Sequence, residues 1–260
     1  MNQRNMTFGG HLEVLRRMLF RVIAVTAVIA VIVFCFKEPV FRLLLAPSHW
    51  DFCTYRWLEQ TMNAMGWDFH FNEFHVSMIA TELSSQFMAH ITTSVYLGLL
   101  FASPYILFEL FRFIVPALYD NERRYATSTA VIIYALFIVG VLITYFLIFP
   151  ISFRFLGTYS VAEQVESNIT IDSYIGTFTS LTLVMGIVFQ LPVIAFFLGK
   201  MGVISSDLLK KYRKHAFIVI MVIAAIITPP DIMTLIIVTL PLYLLFEVSI
   251  RVLAFTHPSR

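Results

Sequence analysis

Charge is what this chain has least of: 13% of its 260 residues are Asp, Glu, Lys or Arg, against 59% hydrophobic residues. A soluble domain carries about 25% charged residues, so a water-surrounded globule is excluded and a polytopic membrane protein is indicated. Cysteine is nearly absent, with Cys35 in an apolar segment and Cys53 in a polar loop. Without C-x-x-C or clustered Cys/His spacing, neither a metal site nor a disulfide framework is expected. Also missing are the phosphate-binding G-x-x-x-x-G-K-[ST] loop, the G-x-S-x-G elbow and the H-E-x-x-H helix. Nucleotide hydrolysis and the commonest hydrolytic sites lose their support, and work must draw on binding energy, a partner or the membrane gradient. No internal repeat or linker is present, which argues against inverted-repeat transporters and against a separate soluble domain.

What is present is a series of apolar runs. At about 20 residues per crossing, the chain has room for six helices, predicted at residues 18–36, 84–113, 126–149, 174–199, 216–227 and 232–249. The first run follows Arg16 and Arg17 but ends in Lys37-Glu38-Pro39 instead of a cleavage site, so it reads as a retained span. Residues 7–17 form an amphipathic lead-in at the interface. The last two runs are short for a bilayer core of about 30 Å, and read either as a hairpin that thins the bilayer or as a re-entrant pair. Residues 37–83 contain Trp50, Trp57 and Trp67, all the tryptophans of the chain. Amphipathic rings favour the membrane boundary, so this segment is an expected extracytoplasmic cap with a short helix near residues 55–65. Residues 1–260 thus read as one integral, all-α membrane domain. Of 18 Lys and Arg, only Lys37, Arg42, Arg56 and Arg154 fall on the cap side. The positive-inside rule then puts both termini in the cytoplasm.

The chemistry-bearing groups are few. In the stretch SPYILFELFRFIVPALYDNERR, residues 103–124, an apolar helix ends in carboxylates and arginines. Glu13 and Glu122 stand near the ends of apolar helices, placed to receive a cation, and an arginine fork is the natural match for a carboxylate. The plainer reading is that they neutralise Arg16, Arg17, Arg123 and Arg124. Gln190, mid-way along the fourth span, reads as interhelical glue. Glu109 and Glu247 are expected to snorkel or to pair with Arg112 and Arg251. Asp231, after two prolines, is a candidate cap of the last helix.

Taken in order, TFGGHLEVLRR, Leu45-Ala46-Pro47, the 103–124 stretch, FQLP at 189–192, KKYRK at 210–214, TPPD at 228–231 and PLYLLFE at 241–247 resemble the TatC family over nearly the whole length. The resemblance implies a cup-shaped, six-helix, multi-pass receptor in the bacterial inner membrane. It would recognise twin-arginine signal peptides on folded cargo and assemble into an oligomeric complex with single-span TatA-type and TatB-type subunits. The family is driven by the proton motive force, without cofactor, metal, nucleic acid or catalysis of its own. It also implies a signal-peptide site containing Glu122, with Phe113, Arg123 and Arg124 beside it and Glu13 on the first helix. Gln190, Pro47, Pro230 and Asp231 would have partner-helix or structural roles. Two positions depart from the pattern. The family's H-L-x-E-L-R reads here His11-Leu12-Glu13-Val14-Leu15-Arg16, which leaves Val14 at the acidic position and Glu13 about 100° around the helix. Gln190 stands where some members have Glu. The competing class is a proton-coupled small-solute transporter lined by Gln190, Glu109 and Asp231. An intramembrane enzyme would lack any nucleophile-and-base motif. Acidic groups gathered at one face, and scarce at mid-membrane, favour surface recognition.

Overall fold

Between Gly10 and Phe36 no proline or glycine interrupts the chain, and one helix results. In the computed structural model, α1 (Phe8–Cys35) merges the expected interfacial lead-in with the first span. The structure describes residues 8–114 except 69, 71, 72 and 75, then 126–160, 162 and 168–256. A bend at Phe36 leads into α2 (Lys37–Leu45), and α3 (Cys53–Ala64) is the short helix of the cap. The second span is α4 (Ser85–Ile114), which runs unbroken through Pro104. The third is α5 (Ala126–Ile143), a wide π-turn (Thr144–Ile148) and α6 (Phe149–Thr158). The fourth is α7 (Ile171–Val188) and α8 (Leu191–Lys200), broken at Phe189-Gln190. After the short α9 (Ser206–Lys211) come α10 (Arg213–Ile227) and α11 (Ile232–Thr256).

Five of these units are long and apolar enough to cross a bilayer. The exception is α10, whose 15 residues reach only about 22 Å. Its end is set by Pro229, which forces Thr228 into extended backbone (φ −91°, ψ 156°). In contrast α11 passes the expected end at Ser249 and continues to Thr256, because nothing after Pro241 breaks it. The architecture is all-α and polytopic, six helices in a cup, with one parallel two-residue ladder, β1 (Met78–Ile79) to β2 (Ile169–Thr170), joining the cap segments.

Proline and tyrosine chemistry ties the cap to the bundle. Pro150 has no N–H to offer the carbonyl of Phe146 four residues back, and the Thr54 hydroxyl of α3 donates to that carbonyl instead. At its C-terminus α2 leaves carbonyls without helical donors. The Tyr145 hydroxyl donates to the Leu43 carbonyl and that of Tyr174 to the Leu44 carbonyl, each at 2.8 Å. The buried Tyr55 hydroxyl donates to the Pro150 carbonyl at 2.7 Å, with the Pro47 carbonyl a longer acceptor at 3.3 Å. Burial pushes its pKa up, so it stays a donor. Around these bonds pack Phe149, Tyr174 and Phe178, ring centroids 4.9–5.0 Å apart from Phe149. Pro47 is therefore a buried pivot where α2 stops and three segments meet. Tyr55→Phe keeps the ring and strands the Pro150 carbonyl. It is expected to cost about 1 kcal/mol, read as a lower unfolding temperature of the purified protein with α-helix content unchanged.

Candidate functional site

α1 and α4 lie antiparallel along each other, pinned at three heights. Near the cap, the Phe34 and His90 rings stack at 4.0 Å, and His90 Nε2 lies 3.1 Å from the Phe34 carbonyl. In the middle, Gly98 lets the Ala30 backbone approach closely. At the opposite end Arg21 Nη2 donates to Glu109 Oε2 at 2.9 Å, while the Tyr105 hydroxyl, one turn before Glu109, donates to Oε1 at 3.2 Å. The carboxylate is 7% exposed and its arginine 53%. The same device recurs between α10 and α11. There Arg213 Nη2 donates to Glu247 Oε2 at 2.8 Å and the Tyr243 hydroxyl to Oε1 at 3.3 Å.

For Glu247 the expected alternative of pairing with Arg251 gives way to Arg213, and Glu109 is paired with Arg21. A carboxylate turned into a helix interface needs a cation that reaches across it, and Arg251 lies exposed on the outer surface; the Arg112 side chain is outside the described set. Arg21 escaped notice as a functional partner. Its signal was an arginine at the fourth residue of an apolar run, joined by Tyr-x-x-x-Glu at both acidic positions. The burial asymmetry gives a prediction. Arg21→Met leaves a buried carboxylate without its cation and is expected to destabilise by about 2 kcal/mol, whereas Glu109→Gln leaves an arginine free to reach water and costs less. Thermal unfolding of the two variants in detergent checks the order.

Glu13, half exposed, accepts from Arg17 Nε at 2.9 Å and has Arg16 at 3.7 Å. Local neutralisation is thus what the geometry of Glu13 displays, and Val14 next to it is partly buried. Glu122, Arg123 and Arg124 lie outside the described residues. Phe113 belongs to α4, but its side chain is likewise outside the description. On the inner face, the break at Gln190 frees the Gly186 carbonyl, since the Gln190 N–H bonds to Ile187 instead. Gln190 Nε2 repairs this, donating to the Gly186 carbonyl at 3.3 Å and to the Ile133 carbonyl of α5 at 3.1 Å. Gln190 therefore joins α5 to the fourth span. Its Oε1, and Ser103 Oγ on α4, are buried without a hydrogen-bond partner. Both residues line an otherwise apolar cavity of about 610 Å³ between α4, α5 and the α7–α8 break, walled by Leu107, Phe137, Ile187 and Phe197. At the other end, Asp231 Oδ1 accepts the Thr234 N–H at 2.6 Å, capping α11, and Pro230 is exposed before it. Among the described residues no His, Cys, Asp and Glu group could hold a metal.

Comparison with known proteins decides what kind of molecule carries this arrangement. The family model described as Sec-independent protein translocase protein (TatC) matches residues 10–241. The chain belongs to the TatC family. The TatC protein of Blattabacterium is 33% identical over 256 residues, covering 96% of both chains. That of Desulforapulum autotrophicum is 33% identical, covering 94% of this chain and 82% of its own. Among solved structures, a crystal structure of the twin arginine translocase receptor TatC superposes with a TM-score of 0.73 at 30% identity, over 95% of this chain and 99% of the other. A second, of the same receptor in DDM, gives 0.75 at 30% identity over 94% and 99%. A TatC chain with Glu13 engaged by its own arginines is thus the frame for the functional reading.

Proposed function

We propose that this chain is the receptor and core subunit of a twin-arginine translocase, binding the paired arginines of signal peptides on folded cargo. The observation that carries the reading is the match over 95% of the chain to a solved twin-arginine translocase receptor at 30% identity. Glu122 is the recognition carboxylate, with Phe113, Arg123 and Arg124 beside it. Glu13 contributes less, because it already accepts from Arg17 and has the Arg16 guanidinium 3.7 Å away. Single-span subunits of the TatA and TatB type pack against the bundle, and a polar donor on such a helix suits Gln190 Oε1. The protein sits in the bacterial inner membrane with both termini in the cytoplasm, as a single membrane domain, and transport runs on the proton motive force. It acts by binding and assembly and is not an enzyme.

A solute path through Gln190, Glu109 and Asp231 has less to support it. Glu109 is closed off by Arg21 and Tyr105, Asp231 is occupied with its cap, and Gln190 does not titrate. Photocrosslinking from probes at Glu13, Val14 and Glu122 tests the receptor reading. Signal peptides with Arg-Arg are expected to crosslink at 122 far more than those with Lys-Lys, because only the guanidinium offers the paired donor geometry. Equal crosslinking of both peptides at every position would sink it.

A further inference from the structure

The connection between the fourth span and α11 gathers cations and exposed apolar side chains. α9 and the start of α10 carry Lys210, Lys211, Arg213 and Lys214 within five residues. Two of these cations are committed, Lys210 to Asp207 at 3.3 Å and Arg213 to Glu247 at 2.8 Å. Lys211 and Lys214 are exposed and, among the described residues, have no carboxylate within ion-pairing distance. The same connection displays large apolar side chains: Val203 is 61% exposed, Leu208 45% and Tyr212 47%. In water that exposure would be costly. With rings and aliphatic chains in the acyl layer and lysines in the headgroup layer, it is the pattern of a segment lying in the membrane interface.

Depth supports the same conclusion. Arg213, the first residue of α10, is fixed to Glu247, and α11 continues nine residues further to Thr256. At 1.5 Å per residue the ledge lies roughly 13 Å below the end of α11. A 15-residue α10 cannot lift it higher. The lysines are therefore set back from the end of α11, a depth that suits contact with lipid phosphates over exposure to bulk water, where counter-ions would screen them.

We propose that this ledge is a binding site for anionic phospholipid headgroups, with Lys211 and Lys214 on the phosphate and Val203, Leu208 and Tyr212 against the acyl chains. The surplus of two unneutralised cations selects a lipid of net negative charge over a zwitterionic one. The site does not depend on the receptor reading.

The test uses the full chain in bilayer nanodiscs, with Trp50→Phe, Trp57→Phe, Trp67→Phe and Tyr212→Trp, so that the ledge carries the sole indole. Quenching by brominated phosphatidylglycerol is compared with quenching by brominated phosphatidylcholine at equal mole fraction. Phosphatidylglycerol is expected to be preferred roughly fivefold, the effect of about one lysine-worth of headgroup attraction. The preference should fall to parity in Lys211→Gln/Lys214→Gln and persist in Lys211→Arg/Lys214→Arg. Parity in the parent protein, or an undiminished preference in the double Gln variant, overturns the assignment. Inorganic phosphate added at constant ionic strength should leave the preference unchanged; its loss would make the ligand a free anion and overturn the lipid.

Discussion

Gly98→Leu is expected to separate α1 from α4 and to destabilise the protein by about 3 kcal/mol, the upper part of the range for overpacking. A Cβ at position 98 would lie 2.7 Å from Ala30 Cβ and 2.9 Å from both Ala30 Cα and Ala30 N. Two of those three atoms are backbone, so no rotamer change relieves the contact and the helices themselves must part. In a bilayer there is no hydrophobic drive to hold them, since lipid is as apolar as either helix; close packing at small residues carries the association. α1 is especially dependent on it, because only 11% of its apolar window is buried inside the protein. Displacing α1 also stretches the Arg21–Glu109 bridge. Thermal unfolding and a spin-label distance between the two helices report the effect, with Gly98→Ala intermediate. Native stability and an unchanged distance in the leucine variant would show that α1 is not seated on α4 as described.

Contrast between neighbouring groups shows how far the sequence could be read. Helix positions were legible because apolar runs of this length have one stable form in lipid, where every backbone group must bond within its own helix. Ends were less so. The predicted span closes at Ser249, before Arg251, yet α11 continues through the apolar residues 252–255 to Thr256, because one serine and one arginine do not break a helix. Asp231 was readable as a cap, for its bond is local, from Thr234 three residues on. The arginines that Glu109 and Glu247 do meet are 88 and 34 residues away. Side-chain spacing along one helix cannot reveal which other helix lies beside it. Pro150 could be read as a backbone disruption, but not that Thr54 would answer the Phe146 carbonyl. At the candidate site, Glu13 could be read as a receiver of a ligand arginine or, more plainly, as the neutraliser of Arg16 and Arg17; in the folded chain it is paired with the latter two.

That occupation bears on the recognition site itself. A carboxylate that accepts from Arg17 and has Arg16 beside it has less net charge to offer a third arginine, so under the proposed receptor function the burden of cation recognition falls on Glu122. Glu122→Gln keeps size and one carbonyl acceptor but removes the charge. It is expected to weaken binding of an Arg-Arg signal peptide by about 2 kcal/mol, the worth of a hydrogen bond to a charged group, or roughly thirtyfold. A Lys-Lys peptide, which cannot make the paired contact, should change less, so the ratio between the two peptides contracts. Glu13→Gln should shift the Arg-Arg affinity by only a few-fold, and part of that through release of Arg16 and Arg17. Fluorescence anisotropy of labelled signal peptides on the protein in nanodiscs measures all four affinities. If Glu13→Gln proved the more damaging substitution, its internal ion pairs would have to open on binding and the carboxylate on α1, not Glu122, would be the principal receptor for the arginine pair.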